Sequence, residues 1–72
     1  MINKKTIGKR LAQLRGAKTQ KEVAKDLGIS LSAICMYENG SRVPRDEIKI
    51  AFAKYYSTSV EDLFFTNNVH KA

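Results

Sequence analysis

Residues 25 to 40 contain two helix-like segments that are separated by only three residues, Gly28, Ile29 and Ser30. Gly28 can adopt the left-handed conformation that ends a helix, because glycine has no Cβ atom. Ser30 is a preferred N-cap, so a new helix is expected to begin directly after it. Two helices joined by so short a turn cross at about 90–120°, which lifts one face of the second helix away from the domain. This pair restricts the fold more than any other feature of the chain.

The second helix of this pair has an unusual outer face. Its positions Ala33, Ile34 and Tyr37 fall on one side and are expected to face the core. The opposite side carries no carboxylate and consists of Leu31, Ser32, Cys35, Met36 and Asn39. An exposed α-helix fits the major groove of DNA, about 12 Å wide, where serine and apolar side chains contact base edges and thymine methyl groups. The alternative is that the apolar members of this face pack in the core or against a second chain.

The sequence before residue 25 predicts two features. One is a separate helix near the N-terminus, and the other is the start of the first helix of the pair. Residues 6–15 carry one apolar stripe, which consists of Ile7, Leu11 and Leu14. Thr19 and Glu22 have the spacing of a capping box, in which each side chain satisfies a free backbone N–H at a helix start. The inner face of the helix that they begin is expected to consist of Val23, Ala24 and Leu27.

The sequence after the pair predicts two more helices. Pro44, followed by Asp46 and Glu47, favours a helix start, since acidic side chains suit the positive end of the helix dipole. The apolar stripe of this fourth helix consists of Ile48, Phe52 and Tyr55 or Tyr56. Ser59 and Asp62 predict a second capping box on a short fifth helix. No β-strand pattern is present, so the sequence predicts an all-α domain of five helices over residues 1–66 and a flexible tail over residues 67–72.

Length and charge limit the kind of partner. The 72 residues are enough for one domain with a modest core. A net charge of +6 and a pI near 9.7 favour a polyanionic partner, although a basic protein tuned for solubility would show the same charge. The excess lies in residues 1–25, which hold eight Lys or Arg residues against one Glu.

Several classes of function find no support in the sequence. No apolar run approaches the roughly 18 residues of a membrane span, and no secretion signal follows the basic N-terminus. One cysteine cannot form an internal disulfide, which fits a cytoplasmic protein. The only histidine, His70, lies in the expected tail, so it offers Cys35 no activating base, and the two fall short of a metal site. We expect no enzyme, cofactor or metal; a redox role of Cys35 is the alternative to a plain small side chain.

Longer motifs add a family resemblance. They are "IGKRLAQLR" and "TQKEVAKDLGISLSAICMYENGSRVPR", with Gln20 after the cap, Ala24 inside the second helix, and the Leu-Gly-Ile-Ser turn. In this order they resemble the lambda repressor/Cro-like, or XRE, family of helix-turn-helix regulators, from Ile7 to about Phe65. The stretch "VPRDEIKIAFAKYYSTSVEDLFF" is similar to the C-terminal helices of small Gram-positive bacterial and phage members.

The resemblance implies a role for individual positions. The third helix would be the recognition helix, with base-reading positions at Leu31, Ser32 and Met36 and Cys35 beside them. The positions that contact phosphates in the family correspond to Thr19, Gln20, Ser30, Asn39 and Arg45. Given this fold, Lys21 and Arg42 are also assigned to phosphates, although solvated surface charges would look the same. Family members often have Gln or Arg at the base-reading positions, so this chain is expected to discriminate bases through methyl contacts, water and DNA shape.

Two further expectations concern stability and assembly. Arg15 and Glu38 match a family pair, and both lie at the margin of an apolar face, which predicts a partly buried ion pair. A fifth helix this short is not expected to bury every residue of its apolar run against its own domain. One or two members of that run are therefore assigned to a homodimer contact; the run consists of Leu63, Phe64 and Phe65.

These observations favour a sequence-specific regulator of transcription. We expect a double-stranded DNA-binding repressor that binds a palindromic operator as a homodimer, with the third helix in the major groove. The alternative from another class is an antitoxin-like interaction module, in which DNA binding is secondary and the fifth helix or the tail binds a regulatory protein partner.

Overall fold

A computed structural model describes residues 3–65 of the chain as helices joined by short turns. The elements are α1 (Lys4–Arg15), α2 (Gln20–Leu27), α3 (Leu31–Asn39), α4 (Asp46–Tyr55) and a π-helical turn (Glu61–Phe65). The expected all-α domain of five helical elements is confirmed, and no strand occurs in the described part of the chain. The expected tail, residues 67–72 with His70, lies outside the described residues.

The helix starts follow from capping side chains. The Thr19 hydroxyl accepts the N–H of Glu22 at 3.0 Å, and the Glu22 carboxylate accepts the N–H of Thr19 at 2.7 Å, so the first capping box is complete. Ser30 accepts the N–H of Ala33 at 3.0 Å and begins α3 where the sequence predicts. In contrast, α1 begins before residue 6, because the Asn3 side chain caps it by accepting the N–H of Thr6 at 2.8 Å.

One hydrophobic core joins all five elements. It consists of Ile7, Leu11, Val23, Ala24, Ile34, Tyr37, Phe52, Leu63 and Phe64. The rings of Tyr37 and Phe52 meet edge to face with their centroids 6.0 Å apart, a geometry that aromatic pairs favour. The predicted inner faces of α2, α3 and α4 supply most of these residues, so the periodicity of the sequence identified the core.

The buried face of α1 differs from the predicted stripe. Gly8 packs directly on the backbone of α3, where an added Cβ would lie 2.3 Å from the Glu38 carbonyl oxygen. With Gly8 and Arg15 turned toward α3, the buried face is rotated away from Leu14, which is 42% exposed. The assignment of Leu14 to the core stripe was therefore wrong, because a glycine contact, which hydrophobic periodicity does not register, decides the orientation of the helix.

The last element also differs from its prediction. Ser59 accepts the N–H of Asp62 at 3.0 Å, but the segment forms a π-helical turn rather than an α-helix. Leu63 and Phe64 are buried in the chain's own core, so their assignment to a dimer contact was wrong. Of that run only Phe65 is exposed, at 44%. Arg10 of α1 donates to the Asp62 carbonyl oxygen at 2.8 Å, which attaches the turn to the domain.

The described residues offer neither a membrane-spanning helix nor a cluster of metal-binding side chains. Between residues 3 and 65, no helix has the length and apolarity that crossing a membrane requires. The same part of the chain holds no group of three or more His, Cys, Asp or Glu side chains arranged to bind a metal ion.

Candidate nucleic-acid interface

The outer face of α3 is directed away from the core. Leu31 is 45% exposed, and Ser32 and Asn39 are also exposed, whereas Cys35 and Met36 are half-buried. Ile34 and Tyr37 are buried on the other side, and Ala33 packs at the edge of the core. The alternative that Leu31 belongs to the core therefore does not apply.

The single carboxylate of α3 is turned away from this face. The Glu38 side chain is only 8% exposed and is held by Arg15 of α1, whose Nε and Nη2 donate to the two carboxylate oxygens at 2.8 and 3.0 Å. Hydrogen bonding to Glu38 raises the pKa of the Arg15 guanidinium above its usual value. A bidentate pair of this kind is strong and fixes geometry. It locks the end of α1 to the end of α3 and leaves the outer face without negative charge.

A third side chain joins this ion pair. The Gln20 amide, at the first position of α2, donates from Nε2 to Glu38 Oε1 at 2.9 Å. Its oxygen accepts the Cys35 thiol at 3.1 Å. Arg15, Glu38, Gln20 and Cys35 thus form one chain of contacts across α1, α2 and α3. The sequence predicted the ion pair but not its extension to Gln20 and Cys35.

The N-terminal end of α2 presents the first group of proposed phosphate contacts. The first backbone N–H groups of a helix have no acceptor within the helix, and the helix dipole makes this end attractive to anions. Lys21 is exposed beside it, and Gln20 is half-buried. Thr19 uses its backbone N–H and one lone pair of its hydroxyl in the capping box, so the hydroxyl proton remains its group for an external acceptor.

The second group of proposed phosphate contacts surrounds α3. Ser30 caps the start of this helix and is exposed. At the other end, Asn39 Oδ1 accepts both the N–H and the hydroxyl of Ser41, at 2.9 and 2.6 Å, which leaves the Asn39 amide N–H groups as donors. Arg42 and Arg45 follow on the loop into α4; both are exposed, and neither forms an ion pair within residues 3–65.

Other basic side chains are committed to the fold. Lys18 donates to the Tyr55 hydroxyl at 2.8 Å, and that hydroxyl donates to Asp26 at 2.5 Å. The bond from Tyr55 lowers the pKa of the Asp26 carboxyl and the bond to Tyr55 raises that of the Lys18 amine. Lys49 is buried against Phe64 and Phe65, with its ammonium 5.0 Å from the centre of the Phe65 ring. Some basic residues are therefore engaged in contacts within the fold, whereas Lys21, Arg42 and Arg45 are exposed near α2 and α3, and further exposed lysines lie on α1 and α4.

The chain matches one family of known proteins over most of its length. A family model described as a helix-turn-helix domain, within the XRE/Cro-like clan, matches residues 6–63. These residues include α2, α3 and the Gly28-Ile29-Ser30 turn between them. No curated protein and no solved structure matches the chain.

Proposed function

Because the chain belongs to the helix-turn-helix domain family of the XRE/Cro-like clan, we propose that it is a sequence-specific repressor of transcription. It acts in the cytoplasm on double-stranded DNA. The observation that carries this proposal is the exposed, carboxylate-free outer face of α3, set above the domain by the turn at Gly28. A soluble helix would ordinarily cover such a face with charged side chains, whereas a DNA-reading helix needs short polar and apolar groups there.

Base recognition is assigned to α3 in the major groove. Leu31, Ser32 and Met36 are its base-reading residues, with the two longer side chains suited to thymine methyl groups and the serine hydroxyl to a base edge. None of the three makes a bidentate contact of the Arg–guanine or Gln–adenine type. Discrimination among sequences therefore depends on apolar contacts, bridging water and DNA shape as well as on hydrogen bonds.

Phosphate contacts fix the domain on the duplex. They come from the start of α2, the ends of α3 and the loop before α4, and the residues are Thr19, Gln20, Lys21, Ser30, Asn39, Arg42 and Arg45. Each phosphate neutralised by a cationic side chain contributes about 0.9 to the slope of log K against log salt. The three cationic members of this set, Lys21, Arg42 and Arg45, are exposed, which supports the assignment.

The operator is proposed to be palindromic and the active form a homodimer. Two recognition helices separated by about 34 Å lie in successive major grooves on one side of the duplex. A 72-residue chain has a small interface, and a two-fold dimer doubles the number of its contacts. Phe65, exposed at the end of the described chain and stacked near Lys49, is the residue of its apolar run that is still free to contact a second copy.

Selection from a pool of random duplexes tests this proposal. The expected result is one enriched sequence with two-fold symmetry and half-sites about one helical turn apart. An enriched sequence without symmetry would refute the dimer while leaving specific DNA binding. Uniform weak binding that fades as salt is added would refute sequence-specific regulation altogether.

An antitoxin-like interaction module is the second candidate. A surface pocket of about 470 Å³ lies between α1 and the segment 58–63; Leu14 and Leu63 are its two apolar residues, and polar or charged side chains complete the lining. Such a groove favours a protein partner, with DNA binding secondary. The same selection separates the two candidates, because this one predicts no enriched duplex. It also predicts that Leu14→Glu abolishes partner binding and leaves the weak affinity for DNA unchanged.

A further inference from the structure

The Gln20 carboxamide is held at both of its ends. Its Nε2 donates to Glu38 Oε1 at 2.9 Å, and its Oε1 accepts the Cys35 thiol at 3.1 Å. Glu38 is in turn held by two bonds from Arg15, so the amide rests on a fixed support. Gln20 is the first residue of α2, on the helix end that is proposed to meet a DNA phosphate.

Each of these two contacts determines a different property of the amide. A carboxylate accepts hydrogen bonds only, so Glu38 requires the NH₂ group rather than the oxygen on its side. One contact still allows the amide plane to turn, because the terminal torsion of glutamine is soft. The thiol of Cys35 on the opposite end stops that rotation. The second N–H of Nε2 then has one direction, and it is the N–H of the Gln20 carboxamide that has no acceptor among residues 3–65.

The Cys35 thiol contacts α2 through the Gln20 carboxamide. Its sulfur is half-buried and directed toward α2, whereas Leu31 and Ser32 on the same helix are exposed. We propose that Cys35 is a positioning residue, which holds the Gln20 carboxamide in the orientation that donates an N–H to a DNA phosphate. This inference rests on the proposed function and reassigns Cys35 from the base-reading set.

Three roles for Cys35 have different consequences. A base-reading residue changes the preferred sequence when it is replaced, whereas a phosphate contact affects all sequences equally. A residue that only fills space changes the midpoint of thermal unfolding and acts on binding whether or not Gln20 is present. A positioning residue loses its effect once Gln20 is removed. Glutamine is neutral, so losing its contact leaves the salt slope unchanged, unlike the loss of a cationic side chain.

The experiment measures the affinity of full-length variants for the selected duplex and for its single-base variants, across a salt series. Cys35→Ala is expected to weaken binding about 3- to 10-fold on every duplex, the range for one lost hydrogen bond. Cys35→Ser, which keeps a hydrogen-bond donor at this position, is expected to bind DNA with an affinity close to that of the wild type. In the Gln20→Ala background, Cys35→Ala is expected to have no further effect. The Gln20 side-chain NH₂ resonances should shift in Cys35→Ala but not in Cys35→Ser.

The outcomes separate this inference from the function on which it rests. If the wild-type protein prefers no duplex over another, both the proposed function and the positioning role of Cys35 are refuted. If the wild type is specific, a changed base preference in Cys35→Ala refutes positioning in favour of base reading. An equal loss in the presence and absence of Gln20 refutes it in favour of packing. Unchanged affinity and unchanged Gln20 resonances in Cys35→Ala refute it outright.

Discussion

Gly8 lies where α1 crosses α3, and the crossing leaves no space for a side chain. An added Cβ would lie 2.3 Å from the carbonyl oxygen of Glu38 and 2.8 Å from that of Tyr37, and both are backbone atoms that cannot rotate away. Gly8→Ala should raise helix propensity, which alone would stabilise the protein by up to about 1 kcal/mol. We expect the clash to dominate and to lower the free energy of unfolding by at least about 2 kcal/mol. Urea denaturation measures the difference.

Gly28→Ala is the matched control for this prediction. Nothing lies within 4 Å of an added Cβ there, but the residue has a φ of 71°, which disfavours alanine. Its cost should stay near 1–2 kcal/mol, the strain of one left-handed residue. A Gly8→Ala protein as stable as the wild type would show that α1 and α3 do not approach as closely as described.

The Tyr56 hydroxyl is buried without a hydrogen-bond partner among the described residues. Such a group costs about 1–3 kcal/mol, so Tyr56→Phe is expected to be neutral or to raise the unfolding free energy. Tyr55→Phe is the control: it removes a hydroxyl that accepts from Lys18 and donates to Asp26, and should lower stability slightly. Thermal unfolding of both variants checks the difference. A marked loss of stability in Tyr56→Phe would show that the Tyr56 hydroxyl does form a hydrogen bond in the folded protein.

Tyr56 also predicts a dependence of stability on pH. Burial, followed by the neighbouring charge of Glu38, raises the pKa of its hydroxyl to about 12 from 10.0. Between these values the folded chain retains the proton that the unfolded chain releases, so stability falls as pH rises through this window. The fall should be smaller in Tyr56→Phe, because phenylalanine does not titrate. Equal slopes above pH 10 in denaturation of the two proteins would contradict the burial of this hydroxyl.

At the scale of elements, the Arg15–Glu38 pair determines how three helices meet. Glu38→Gln keeps the shape of the side chain but leaves the Arg15 guanidinium without a carboxylate in a largely buried place. Breaking a buried pair in this way costs about 3–5 kcal/mol, and since Arg15 is partly exposed we expect about 2–3. Asp26→Asn, which breaks the exposed pair with Lys18, should have a much smaller effect, because solvent screens that pair. Similar costs in the two variants would place Glu38 in solvent.

The sequence predicted those elements whose signals are local. The capping box of Thr19 and Glu22, the cap at Ser30 and the left-handed Gly28 depend on neighbouring residues, and the structure contains each of them. The rotation of α1 about Gly8 and the burial of Phe64 depend on contacts between distant segments. Hydrophobic periodicity does not report which face meets a glycine, nor how many side chains a short turn can bury.

In the candidate interface, too, local features could be predicted from the sequence, whereas contacts between distant segments could not. The exposed face of α3 was predictable because the turn before it is short and the opposite face is apolar. The link from Cys35 to Gln20 was not, since it joins residues of two helices through side chains. One feature of the sequence did indicate it. Cys35 comes directly after the buried residue Ile34, about 100° further around the helix, which places it at the margin of the buried face.

For the whole molecule, the basic charge is divided between folding and the proposed contact with DNA. Lys18 and Lys49 are engaged with neighbouring side chains, whereas Arg42 and Arg45 are exposed on the loop after α3. Because Asp26 and Asp46, the partners of these lysines, are already subtracted in the net charge, the ion pairs leave the +6 unchanged and reduce only the number of basic side chains available to a duplex. The salt dependence of binding should reflect the cationic side chains that are proposed to contact phosphates, which are Lys21, Arg42 and Arg45.

Assembly provides a prediction at the same scale. If Phe65 lies in the dimer contact, Phe65→Ser should weaken self-association about 10- to 30-fold, the effect of losing a buried aromatic anchor at an interface. Leu14→Ser is the matched control, since Leu14 is exposed to a similar extent on the outer side of α1. Sedimentation equilibrium measures both. A dimer weakened by Leu14→Ser and not by Phe65→Ser would move the contact to the α1 pocket.

The outer face of α3 is proposed to read the DNA sequence. The most direct measurement is the ratio of affinities for the selected duplex and a scrambled one, for wild type, Ser32→Ala/Met36→Ala and the exposed control Lys54→Ala. We expect a wild-type ratio of at least about 10³, reduced at least about 10-fold in the double variant with unchanged affinity for scrambled DNA, and preserved in the control. A wild-type ratio near one, or a double variant as specific as the wild type, would show that the outer face of α3 does not read the DNA sequence.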